Sequence, residues 1–143
     1  MNNLAPIVLF VYNRSEHTRR TLEALQKNDL AKESVLYIFA DGAKENASKE
    51  EIAAIDKTRQ VILEKEWCGE VKINCRDENL GLANSVINGV TDVVNRHGKV
   101  IVLEDDIVVN TGFLGFINSA LRSTKKKKEC LVFLVISLTL KSL

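Results

Sequence analysis

The residues best suited by type and spacing to do chemistry are Glu104, Asp105 and Asp106, three consecutive carboxylates. They follow Lys99-Val100-Ile101-Val102-Leu103, whose four apolar residues in a row, mostly β-branched, predict a strand covered on both faces. Three acids at a strand end repel one another unless positive charge sits among them. A divalent cation with oxygen ligands, carrying a phosphorylated substrate, meets that need; a solvated acidic loop is the plainer alternative.

Positioning such a cluster takes a sheet, and the rest of the chain supplies one. Ile7 to Tyr12 is a continuous apolar run that reads as a buried strand, and Val35 to Phe39 is a second, ending at Ala40-Asp41-Gly42. Val71 to Cys75 alternates and predicts a third, more exposed strand. Between them, Ser15 to Leu30 reads as a helix with Leu22, Ala24 and Leu25 toward the core. A second helix opens on the capping box Ser48-Lys49-Glu50-Glu51 and continues one apolar face through Ile52, Ile55, the stem of Arg59 and Ile62. Gly81 to His97 predicts a third helix with Leu82, Val86, Val90, Val93 and Val94 as its core face and Gly98 as its stop. Thr111 to Leu121 predicts a fourth. The only proline, Pro6, precedes the first strand, where its missing amide does little harm.

Alternating strands and helices define an α/β class: a three-layer α/β/α sandwich around a mainly parallel sheet. Parallel strands bring their carboxyl ends to one edge, where ligands bind. Three polar groups fall there: Asn13-Arg14, Asp41-Gly42 and Glu104-Asp105-Asp106. A cation, a carboxylate beside a glycine, and a carboxylate cluster exceed what strand ends need merely to stop.

Composition narrows the function classes. The 143 residues fit one domain with a real core, at 45% hydrophobic and 27% charged. A net charge of +1 gives no polyelectrolyte argument for nucleic acid. Cys68, Cys75 and Cys130 show no C-x-x-C spacing, which argues against zinc or a disulfide framework. With no charged-then-apolar leader, the expectation is a cytoplasmic protein. G-x-G-x-x-G and G-x-x-x-x-G-K-[ST] are both absent, as are a serine elbow, H-E-x-x-H and a plausible Cys-His pair. His17 and His97, in the first and last turns of their helices, read as surface or capping groups. Trp67 reads as partly buried under a helix end, and Cys68 and Cys75 as packing residues.

Four segments, PIVLFVYNR, FADGAK, ENLGLANSVINGV and VIVLEDDIVVNTGFLGF, together resemble the nucleotide-sugar glycosyltransferases of the GT-A fold. The resemblance is nearest to bacterial sugar transferases and the N-acetylglucosaminyltransferase I-like group, and it spans residues 5 to about 122 in order. It implies a nucleoside-diphosphate sugar as donor, UDP-sugar favoured, and a saccharide acceptor hydroxyl attacking the anomeric carbon. It further implies that Asn13 and Arg14 flank the nucleotide, Arg14 meeting the diphosphate, and that Asp41 hydrogen-bonds base or ribose. Asn79, Gly81 and Asn84 would lie along the nucleotide. Glu104-Asp105-Asp106 would be the variant of the family's D-x-D motif, with Asp106 on Mn²⁺ or Mg²⁺ and Glu104 and Asp105 on ribose or metal-bound water.

Two other readings stand beside this one. A nucleotidyltransferase uses a related sheet and metal, but wants a glycine-rich basic loop where this chain has NRSEHTRR. A non-catalytic Mg²⁺-binding receiver-like module wants its acid pair after the first strand and a lysine after the last, whereas here Asn13-Arg14 come first.

The resemblance stops near Leu121. Residues 123–143 bring four lysines, Lys125 to Lys128, and then ECLVFLVISLTLKSL, a tail unlike the family. Leu131 to Leu140 is too short for a spanning helix; it reads as a buried strand or as a surface anchor led by the basic run. The lysine run also marks a slip site in an adenine-rich stretch of gene. The expectation is therefore a donor-binding part in residues 1–122 with no identifiable base for the acceptor, followed by a truncated or frameshifted end.

Overall fold

The computed structural model describes residues 3–124 and the backbone of 133–135. Its elements run β1 (Ile7–Val11), α1 (Ser15–Gln26), a 3₁₀ turn (Ala31–Glu33), β2 (Val35–Ala40), α2 (Lys49–Leu63), β3 (Glu70–Cys75), α3 (Leu82–His97), β4 (Val100–Glu104), α4 (Phe113–Thr124) and β5 (Phe133–Val135). The strands form one parallel sheet in the order β3-β2-β1-β4-β5. This is the α/β architecture that the alternating pattern predicts. The remainder of the predicted Leu131–Leu140 segment lies outside the described residues.

Every residue of β1 is buried, and the reason is visible in the two layers that cover the sheet. Ile7, Leu9 and Val11, with Leu36, Ile38, Ile101 and Leu103, pack against Leu22 and Leu25 of α1, Ile62 of α2, and Leu114 and Ile117 of α4. The alternate residues Val8, Phe10, Tyr37, Phe39, Val100 and Val102 pack against Val90 and Val93 of α3. A strand buried on both faces has no polar side, hence the continuous apolar runs. Fully burying such a side chain contributes about 1.5–3 kcal/mol. β3 borders the sheet and alternates between exposed and half-buried positions, with Lys72 and Glu70 paired at 3.3 Å along it. Charge on that strand blunts edge-to-edge pairing.

The helix ends depart from the periodicity where side chains capture backbone. α1 stops at Gln26, four residues before Leu30, because the Asn28 side chain is drawn into the core. Its Nδ2 donates to the Asn110 carbonyl at 2.8 Å and its Oδ1 accepts from the Leu114 amide at 3.0 Å. α4 starts at Phe113, after Asn110 Oδ1 accepts from the Gly112 amide at 3.1 Å. On α2, Ser48 caps the helix by accepting from the Glu51 amide, which is one half of the predicted capping box. The Glu51 carboxylate instead accepts a hydrogen bond from Tyr12 Oη at 2.8 Å.

Three expectations of burial are corrected. Ile52 is exposed, and Ile55, Thr58, Val61 and Ile62 form the buried face of α2. Trp67 is fully enclosed, its Nε1 donating to the Ile62 carbonyl at 3.1 Å, so the indole has both apolar walls and a polar partner. Cys68 is buried as expected, but Cys75 is exposed at the end of the border strand.

Candidate functional site

The chain builds β1, β2 and β3 outward in one direction, then returns to lay β4 on the opposite flank of β1. Strand order therefore reverses between β1 and β4, which opens a crevice at their carboxyl ends. A cleft of about 280 Å³ lies there. Its lining includes seven of the residues singled out from sequence: Asn13, Arg14, Asp41, Asn79, Gly81, Glu104 and Asp105.

Strand register sets the cleft floor. Phe39 of β2 pairs with Phe10 of β1, and Phe10 pairs with Glu104 of β4, so the three form one row beneath the polar strand ends. The two phenyl rings stack at 5.5 Å between centroids. α3 crosses them at Gly89, where a Cβ would come within 2.9 Å of Phe10 and 3.0 Å of Phe39. Glycine at that position lets the helix sit down on the aromatic pair.

Two of the three acids, Glu104 and Asp105, line the cleft, and Asp106 does not. Successive residues leaving a strand project to opposite sides. Glu104 lines the cleft, while Asp105, at its rim, is pinned toward α1: the Thr21 hydroxyl donates to its main-chain carbonyl at 3.0 Å. The Asp105 carboxylate is buried and forms an ion pair with the Arg14 guanidinium, whose Nε also approaches at 3.4 Å. Burial pushes the Asp105 carboxyl above its ordinary range; Arg14 pulls it back and the neighbouring Asp106 adds to the rise. Asp106 itself is exposed and stands outside the cleft lining. Among the described residues, no cluster of three acids, histidines or cysteines is arranged to cage a metal ion.

Asp41 is nearly buried and surrounded by donors. Its Oδ1 accepts from the amides of Gly42 at 3.0 Å and Leu80 at 2.9 Å; its Oδ2 accepts from Asn79 Nδ2 at 3.1 Å and the Gly81 amide at 3.0 Å. Asn79 Nδ2 also reaches the Gly42 carbonyl at 2.8 Å. Gly42 packs so tightly on the following loop that a Cβ would lie 2.5 Å from the Glu78 carbonyl carbon. Gly81, at φ +78°, turns the chain into α3.

Asn84 departs from expectation. Its side chain is exposed, folds back to donate to the Leu80 carbonyl at 3.1 Å and does not line the cleft; Ser85 does. Leu82, expected in the core, is 64% exposed at the mouth. His17 and His97 are exposed, and His97 pairs with Tyr37 Oη at 2.9 Å. Sequence reasoning passed over Tyr12, Lys44, Ser85, Phe10 and Phe39, all of which line the cleft. Ser85 follows Gly81 by one helical turn, Phe10 stands three residues before Asn13 and Phe39 two before Asp41, so closeness to the polar strand ends held a signal for these three.

No family model matches the chain, and no curated protein matches it in sequence. Among solved structures it is similar to the crystal structure of S. aureus TarS, a glycosyltransferase, with a TM-score of 0.54 at 14% identity. That match covers 84% of this chain and 20% of the TarS chain, so the chain spans about a fifth of the length of that neighbour. The shared feature is the fold: a parallel α/β sheet flanked by helices, of GT-A-like form.

Proposed function

We propose that this chain is the donor-binding part of a glycosyltransferase, and that the cleft between β1 and β4 takes the nucleoside diphosphate of a nucleotide sugar. The observation that carries the reading is the convergence of Asn13, Arg14, Asn79, Gly81, Glu104 and Asp105 on one crevice at the point where strand order reverses. The likeness of fold to TarS supports the same class of chemistry.

Arg14 is the cation for the diphosphate. Its guanidinium is about half exposed, so one side is engaged with Asp105 while the other faces solvent at the cleft. A planar fork of donors suits phosphate oxygens. The polar strand ends over a floor of Phe10 and Phe39 match what ligand sites generally need: apolar walls with a few placed polar groups.

Metal assistance by Mn²⁺ or Mg²⁺ belongs to the same proposal. Asp105 is committed to Arg14 and Asp106 lies outside the cleft lining, so Asp106 would hold an ion at the cleft margin, with substrate phosphate and water filling the other positions. The donor set does not fit an all-protein cage. When bound, such an ion supplies charge neutralisation to the departing diphosphate. Among the described residues no helix is long and apolar enough to cross a membrane.

Titration calorimetry of the chain with UDP, with and without Mn²⁺, tests the reading. Metal-dependent binding by the wild type, abolished in Asp106→Ala, is the expected result. A folded chain that binds neither UDP nor another nucleoside diphosphate would overturn it.

A further inference from the structure

We infer that Asp41 and Arg59 are positioning residues: together they clamp the segment from Arg76 to Gly81 into place as the cleft wall, and Asp41 does not read the nucleobase. The base-contact part rests on the donor-site reading above; the clamp itself does not.

A carboxylate offers about four lone-pair sites. At Asp41 all four are taken within the chain, two on each oxygen, by the donors of Gly42, Asn79, Leu80 and Gly81. An imide or hydroxyl donor from a ligand would have to displace one of these bonds. The orientation of Asn79 is fixed by its neighbours: turning its amide over would aim a carbonyl oxygen at both the Asp41 carboxylate and the Gly42 carbonyl. The Asp41 side chain therefore joins the end of β2 to the loop that opens α3.

Arg59 closes the same junction from the other side. It lies on α2, outside the cleft lining, and its Nη2 donates to the main-chain carbonyls of Asp41 at 3.2 Å and Arg76 at 2.6 Å. Those carbonyls belong to the first residues after β2 and β3. Its Nε is buried with no hydrogen-bond partner among the described residues. A guanidinium placed there at the expense of one donor is held for the two carbonyls it joins. Arg76 in turn reaches Ser85 Oγ at 3.4 Å and sits 5.8 Å over the Phe39 ring, so the clamp extends to two cleft-lining residues.

Amide hydrogen exchange, paired with nucleotide titration, tests the clamp. In Asp41→Asn an amide group replaces one oxygen, and protection of the amide that faced that oxygen, Leu80 or Gly81, should fall about tenfold or more. In Arg59→Met, which keeps the stem and loses both carbonyl bonds, the same amides should lose protection to a smaller degree, with Arg59→Lys restoring part of it. UDP and CDP differ at the base position where uracil donates and cytosine accepts. Both should weaken together in Asp41→Asn and Arg59→Met, leaving their ratio unchanged. Retained protection of Leu80 and Gly81 in both variants would overturn the clamp; a collapsed UDP/CDP ratio in Asp41→Asn would overturn the claim that Asp41 does not read the base. Should Asp41→Asn fail to fold, Arg59→Met decides the clamp, since Arg59 does not line the cleft, and Asp41→Ser, whose hydroxyl can still accept from the loop amides, takes its place in the UDP/CDP test. If the wild type binds no nucleotide, the donor-site reading and the base-contact claim fall with it, and the exchange data still decide the clamp.

Discussion

Arg14 leaves the end of β1 and Asp105 leaves the end of β4, and their side chains form an ion pair across the point where strand order reverses. One partner is half exposed and the other nearly buried. The pair thus ties the two walls of the cleft while leaving the cation accessible. Its asymmetry has consequences for stability, because the cost of losing a partner falls on the buried carboxylate.

Arg14→Ala should destabilise the fold by about 1–2 kcal/mol, less than the 3–5 kcal/mol of a fully buried pair because solvent screens the exposed partner. The pH profile should change as well. Burial holds the Asp105 carboxyl above its ordinary 3.8. A raised acid contributes stability that is full below its unfolded value and is lost as pH rises through the folded value. Removing Arg14 removes an interaction that lowers the folded value, so the loss should extend to higher pH. Denaturant melts from about pH 4 upward should therefore fall more steeply in Arg14→Ala than in the wild type, and less steeply in Asp105→Asn.

Gly89→Ala probes the aromatic floor. Alanine gains about 1 kcal/mol of helix propensity over glycine. Against that, its Cβ would press on stacked, buried rings at 2.9 and 3.0 Å, and overpacking of this kind costs about 1–3 kcal/mol. A net destabilisation of about 1 kcal/mol is expected from chemical denaturation. Ligand affinity should fall too, because Phe10 and Phe39 both line the cleft. A stabilised variant would show that α3 can lift off the sheet freely.

The strands were legible because two-sided burial leaves a plain mark: IVLFV and VIVL carry no polar residue, and both lie in the sheet's interior. The helix termini at Ser48 and Gly98 were legible for a different reason: a cap is formed within three or four residues of chain, so its signal is local. Asn28 was not, since its partners Asn110 and Leu114 are more than eighty residues away and no local pattern announces them. The gathering of strand-end polar groups into one crevice followed from parallel topology. Their individual partners did not: Asp41 bonding to residues 79–81 is a long-range fact, and the exclusion of Asp106 from the cleft that Glu104 and Asp105 line depends on where the strand ends.

Tyr12 and Ser48 both act through Glu51, and their effects should be coupled. Ser48 accepts from the Glu51 amide at 3.1 Å, and Tyr12 donates to its carboxylate at 2.8 Å. Ser48→Ala should cost about 1 kcal/mol as a lost helix cap, and Tyr12→Phe about 0.5–1.5 kcal/mol as a lost hydrogen bond. A double-mutant cycle should return an interaction energy of at least about 0.5 kcal/mol, because losing either tie frees the first turn of α2 and weakens the other. Strict additivity would mean that the cap and the cleft-lining tyrosine are independent.

Cys68 and Cys75, seven residues apart in sequence, should behave as opposites toward thiol reagents. Cys75 is exposed, whereas Cys68 is enclosed and burial pushes its thiol up to about 12. Thiolate is the reactive form, so Cys68 is shielded both by access and by protonation. Under native conditions near pH 8, iodoacetamide followed by peptide mass spectrometry should label Cys75 and leave Cys68 unmodified until the chain is unfolded. The same burial makes a stability claim. A thiol raised from 9.0 to about 12 contributes stability that is full below pH 9 and is lost as pH rises toward 12. Cys68→Ala should flatten the alkaline limb of the stability curve over that window, while its smaller side chain lowers stability at neutral pH. Labelling of Cys68 at a rate like that of Cys75 in the native state would mean that the segment after α2 opens locally, and that Trp67 beside it is less firmly held than its burial implies.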